Sequence, residues 1–126
     1  MATLKSAWEV EFTQEFESWW SNCSQAEQIS IAASVRLLEV QGPSLGYPYS
    51  SSIRGAKLRH LRELRTQHQG RPLRTLYAFD PRRTAVLLLG GDKTADARWY
   101  QVWVPRAEAL YAAHIEQLRK KGLANG

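Results

Sequence analysis

The segment LRELRTQHQGRPLRTLYAFDPRRTAVLLLGGD (residues 61–92) holds three strand-like runs separated by two turn signals. Its first run, LRELRTQ (61–67), suits a strand, although Leu58, Leu61 and Leu64 also fit the spacing of a helix. HQGRP (68–72), directly behind it, favours a hairpin. LRTLYAFD (73–80) is rich in aromatic and aliphatic residues, and Pro81, Arg82 and Arg83 make a tight turn. TAVLLLGG (84–91) is a nearly continuous apolar run, as expected of a central strand. The three runs predict an antiparallel meander.

Upstream, AWEVEF (7–12) alternates Trp8, Val10 and Phe12 against glutamates, which predicts a short half-buried strand at an edge. Thr13 can cap a helix that carries Phe16, Trp19 and Trp20 on its apolar side. Ser24 and Glu27 form a capping box, opening a helix to about Gln41 that buries Ile31, Val35 and Leu38. Gly42 and Pro43 stop it, because glycine tolerates the left-handed end and proline cannot continue the ladder. QGPSLGYPYSSSIRGAKLRH (41–60) reads as an irregular connection. Downstream, the loop GDKTADAR precedes the aromatic segment Trp99, Tyr100, Trp103, and Pro105 suits the first position of a last helix. Ala107, Leu110, Tyr111, His114 and Leu118 would be that helix's buried face, with His114 a core histidine. The expected class is α+β: a small antiparallel sheet of about four strands, an N-terminal helical hairpin and a C-terminal helix, in one domain over residues 1–126.

With 126 residues, 44% apolar and 23% charged, and a mean hydropathy of −0.43, the chain is expected to be a soluble globular domain. Its longest apolar run, 85–89, falls far short of the roughly 20 residues of a membrane span, so no membrane partner is expected. Residues 1–5 hold no apolar stretch after the charge, so no secretory signal is expected and the cytoplasm is the expected location. Cys23 is the only cysteine, which excludes an internal disulfide and a multi-cysteine metal site. Charge is unevenly placed. Residues 1–50 carry two basic and six acidic groups, whereas 51–100 carry eleven and four, within an overall net charge of +5. Twelve of the 17 basic residues are arginine, the planar cation suited to phosphate. That asymmetry suggests a phosphate-bearing partner on one face.

No phosphate loop, dinucleotide fingerprint, metalloprotease helix or nucleophile elbow occurs, and His60, His68 and His114 lack metal-ligand spacing. No metal or other cofactor is expected. On a strand, Glu63 and Arg65 point to one face, and Arg74 on the next strand returns near it. Asp92 and Lys93 follow the third strand, and Tyr100 comes soon after. Glutamate, arginine, lysine and tyrosine without metal make a kit for RNA backbone cleavage. There the ribose 2′-OH attacks the adjacent phosphorus and the 5′ oxygen leaves, so a base, an acid and cations for the extra charge are needed. Crowded cations would also let Lys93 serve as a base. Equally open is that Glu63 and Arg65 only form surface cross-strand ion pairs.

LRELR (61–65), GRPLRTLYAFD (70–80) and AVLLLGGDKT (85–94), followed by Trp99-Tyr100, resemble the RelE/ParE toxin superfamily over about residues 7–118. The closest likeness is to its HigB-like, phage-associated branch of type II toxin–antitoxin toxins. The resemblance implies a RelE-like fold, cleavage of mRNA in the ribosomal A site, and neutralisation by a small helix-turn-helix antitoxin. It implies that Arg74 meets the scissile phosphate, Arg65 binds the same backbone, and Lys93 is the basic residue after the third strand. Tyr100 would stack on a base or sit by the attacking hydroxyl, while Glu63 stands where some members have lysine and would be a base or a structural partner. Arg98, Asp92 and His60 are secondary candidates. Thr94 follows Lys93 where several members have a second cation; the basic loop with Arg54, Lys57, Arg59, His60 and Arg62 would compensate by gripping ribosomal RNA. Two alternatives stay open: a ParE-like gyrase inhibitor, and a non-catalytic nucleic-acid-binding regulator on the same scaffold.

Overall fold

A computed structural model describes residues 7–123; the leader expectation on residues 1–5 lies outside them. The elements run β1 (Val10–Phe12), α1 (Gln14–Asn22), α2 (Gln25–Gln41), a 3-10 turn (Gly42–Ser44), β2 (Ser50–Ser52), β3 (Arg62–His68), β4 (Arg71–Phe79), β5 (Ala85–Asp92) and α3 (Trp99–Lys120). One sheet has the order β1-β5-β4-β3-β2. The class is α+β as expected, but the sheet has five strands rather than about four, and it is mixed: β1 lies parallel on β5. The additional strand is β2, inside the stretch read as an irregular connection. Its three serines carry no period-two signal. What defines it is backbone need, since Ser51 pairs with Glu63 and the Arg65 amide donates to the Tyr49 carbonyl at 2.8 Å.

The helical hairpin forms as its caps dictate. Thr13 Oγ1 accepts from the Phe16 amide, and Ser24 and Glu27 satisfy each other's backbone in the capping box. α2 ends at Gly42, whose φ of +58° suits glycine; a Cβ there would also fall 2.2 Å from the Trp8 ring.

Helices cover both faces of the sheet. Phe16, Ile31 and Leu38 of α1 and α2 pack with Leu64, Leu73, Tyr77 and Leu87 on one side. On the other, Trp99, Ala107 and Tyr111 of α3 pack with Leu76, Val86 and Leu88. This three-layer arrangement is why β4 and β5 are apolar on both faces. α3 begins at Trp99, six residues before the expected start, so the aromatic segment is its first turn and Pro105 lies inside the helix. Burial of Trp99, 3% exposed, offsets the roughly 3 kcal/mol an interior proline costs. His114 is a partnered histidine, its Nε2 2.9 Å from Asp80 Oδ2. No helix among the described residues is long and apolar enough to cross a membrane.

Candidate active site

The β3–β4 hairpin turns on only two residues, Gln69 and Gly70, both with positive φ (49° and 78°). Such a turn matches the strand twist and fixes the register, which sets Arg65 directly opposite Arg74 and Glu63 opposite Leu76. Alternation then sends Glu63, Arg65 and Arg74 to the α3 face. A register shift between Leu76 and Tyr77 leaves Leu88 as an extra residue on β5 and brings Gly91 opposite Arg74. A Cβ at Gly91 would lie 2.9 Å from Trp99 Nε1, and one at Gly90 would lie 2.2 Å from the Trp19 ring. The paired glycines therefore admit one tryptophan from each side, and the one from α3 plants Tyr100 above the arginines.

Glu63 is the hub. Tyr100 Oη donates to Glu63 Oε1 at 2.5 Å, and Ser51 Oγ donates to Oε2 at 2.7 Å. Arg65 Nη1 lies 3.4 Å from Oε2. Arg74 Nε lies 3.3 Å from Oε1 without hydrogen-bond geometry, and is the one buried side-chain nitrogen or oxygen without a hydrogen bond among the described residues. The rest of that guanidinium is anchored by Nη1 donating to the Leu73 carbonyl at 3.0 Å. Lys93 Nζ sits 5.2 Å from the Tyr100 ring centroid. Burial, and then the Glu63 carboxylate, push the Tyr100 phenol up to about 12. It is thus a neutral hydrogen-bond donor at physiological pH.

All five residues expected at a catalytic site, Glu63, Arg65, Arg74, Lys93 and Tyr100, stand together. The basic group expected beside them divides. Arg54, Lys57, Arg59 and His60 lie in the loop before β3, which docks on the middle of α3: His60 Nε2 is 3.2 Å from Tyr111 Oη, and Glu108 accepts from the Leu58 amide. Those contacts are roughly 12 to 16 Å along the helix from Tyr100. Arg62 points to the opposite face, donating to Ser50 Oγ at 2.9 Å. Arg98 is exposed at the start of α3. Asp92 also turns to the opposite face, where it binds Arg71 and holds Thr94 through its amide and hydroxyl. Burial alone would raise the Asp92 carboxyl, but these Thr94 and Arg71 bonds hold it below its usual range.

The surplus of positive charge is accordingly not confined to one face. Arg71 is tied to Glu27 and Asp92, and Arg82 to Glu11 and Asp80. Two residues of the site were missed from the sequence. Ser51 lay in a serine run with no strand pattern, and Tyr47, whose ring lies 5.2 Å from Arg65 Cζ, lay in a loop whose path no periodicity fixes. Among the described residues no three His, Cys, Asp or Glu side chains stand close enough to hold a metal ion.

The arrangement thus offers a hydrogen-bonded carboxylate, a neutral phenol, and two guanidiniums and an ammonium around one point. Comparison with known proteins places the chain among relatives. The candidate toxin HigB2 of Mycobacterium tuberculosis is 32% identical over 120 residues, covering 86% of this chain and 60% of that protein's length. The candidate toxin HigB3 of the same organism is 37% identical over 95 residues, covering 75% of this chain and 82% of its own. The model of the phage-derived protein Gp49-like family (DUF891) matches residues 18–112. With three quarters of its length inside that match, the chain belongs to the phage-derived Gp49-like family.

Proposed function

We propose that this protein is the toxin of a type II toxin–antitoxin pair within the RelE/ParE superfamily, and that it is a ribosome-dependent mRNA endoribonuclease. Its similarity to two candidate HigB toxins supports the first part. The second rests chiefly on the arginine pair: Arg74 stands directly opposite Arg65, and the Glu63 carboxylate lies against both guanidiniums. Two guanidiniums sharing one carboxylate leave an excess of positive charge that an RNA phosphate would balance.

In this reading Arg65 and Arg74 carry the extra charge of the phosphorane. Glu63 accepts the 2′-OH proton, which requires Tyr100 or Ser51 to release one of its oxygens. Tyr100, kept neutral, donates a proton to the departing 5′ oxygen and recovers one from Glu63 through their shared hydrogen bond. Lys93 adds positive charge above the ring. No proton is gained or lost overall, no metal is required, and the products are a 2′,3′-cyclic phosphate and a 5′-hydroxyl. The cytoplasm, the ribosome and a helix-turn-helix antitoxin belong to the same proposal, with Arg54, Lys57 and Arg59 gripping ribosomal RNA. Cleavage mapping of an mRNA translated by purified ribosomes tests it. Codon-phased cuts should appear with the wild type, vanish with Arg65→Ala, and be absent on naked mRNA. Intact mRNA at concentrations that arrest growth would instead direct attention to gyrase.

A further inference from the structure

Tyr47 is 77% exposed, an unusual degree for a large aromatic side chain. It is also in contact with the site, because the Arg65 guanidinium lies over its ring. With one face against that cation, exposure this high leaves the other face open. Beside it runs a groove of about 620 Å³ bordered by Pro48, Tyr49, Arg65, Gln67 and Arg74, with Ser34 on the far wall. The groove exists because β2 is short. Its last pair is Ser50 with Leu64, and the Arg65 amide is taken by Tyr49. By alternation the next outward backbone groups on β3 are those of Gln67, an exposed residue beyond the end of β2.

A flat aromatic face, a guanidinium beside it and an outward amide and carbonyl are the groups that receive an unpaired nucleotide. We propose that Tyr47 is a nucleobase platform: one base of single-stranded RNA stacks on its ring while the adjoining phosphate lies on Arg65. The inference rests on the RNA-cleaving reading above and adds to it a residue that sets how the substrate is held. Stacking tolerates every base, so the platform supplies affinity and register, and the Gln67 backbone supplies whatever base preference there is.

The test is a double-mutant cycle between protein and RNA. Binding of a short single-stranded RNA, made uncleavable by 2′-deoxy substitution, is measured by fluorescence anisotropy for the wild type, Tyr47→Ala and Tyr47→Trp. The RNA is used intact and with an abasic nucleotide at each position in turn. Tyr47→Ala should weaken binding to intact RNA by roughly tenfold, and Tyr47→Trp should restore it. At one position the abasic RNA should cost the wild type a similar factor and cost Tyr47→Ala nothing. Equal losses at every position in both proteins, an unaffected Tyr47→Ala, or a wild type that does not bind would overturn the platform. Codon-phased cleavage by the wild type with no such coupling removes the platform alone; coupling without cleavage removes the nuclease reading alone.

Discussion

At the scale of single residues, two buried carboxylates among the described residues have different tasks. Asp80 is a structural acceptor: Arg82 Nη2 donates to it at 2.7 Å, His114 Nε2 lies 2.9 Å away, and the Arg82 and Thr84 amides donate to its other oxygen. Burial would raise its pKa, but these bonds prevail and hold the carboxyl below its usual range. A depressed folded pKa stabilises the fold above the unfolded value of about 3.9, and that stability is lost as pH falls through the folded value. The urea midpoint should therefore fall steeply below about pH 4. Asp80→Asn should flatten that fall and cost about 3 kcal/mol at pH 7, because Arg82 and His114 lose their common partner. Glu63 gathers polar groups of the candidate site instead. Glu63→Gln should lower single-turnover cleavage by about 100-fold or more, and Tyr100→Phe by a smaller factor, with circular dichroism unchanged in both. Wild-type rates in Glu63→Gln would remove Glu63 from the chemistry and leave it only a structural partner.

At the scale of elements, the glycine pair Gly90-Gly91 is where the sheet meets both helical layers. Gly90→Ala would drive a methyl group into Trp19 of α1. Overpacking of this kind typically costs about 1–3 kcal/mol, and chemical denaturation of the variant should show a loss in that range. Ser24→Ala, which opens the capping box of α2, should cost about 1 kcal/mol. The elements differed in how far the sequence disclosed them. The hairpin and β5 could be read because Gly70, the Pro81 turn and the apolar run of 85–89 are local signals of geometry and burial. β2 could not, since a serine strand is specified by the open edge of β3 rather than by its own side chains. The start of α3 was misread at Pro105 because proline is a strong local sign, whereas the attraction of Trp99 to Gly91 is tertiary. Within the candidate site, Glu63, Arg65 and Arg74 followed from strand alternation and hairpin register. Ser51 and Tyr47 reach it from a segment whose path only the folded sheet determines.

At the scale of the whole molecule, charge is partitioned by use. Arg71 and Arg82 bind the acidic N-terminal half to the sheet, while Arg54, Lys57 and Arg59 stay exposed on the loop that docks on α3. Replacing those three by alanine should weaken ribosome association and make its dependence on salt shallower, by up to about three counterions in slope. The thermal midpoint should stay near that of the wild type, since exposed charges contribute little to stability. An unchanged salt slope would place the ribosome contact on another surface. If Glu63, Arg65 and Arg74 direct attack by the 2′-OH, one substitution in the substrate blocks the cut. A translated mRNA carrying a single 2′-deoxynucleotide immediately 5′ of a mapped cut should resist cleavage there and be cut normally at other codons, leaving 2′,3′-cyclic phosphate ends. A cut that persists at the deoxynucleotide would exclude attack by the 2′-OH.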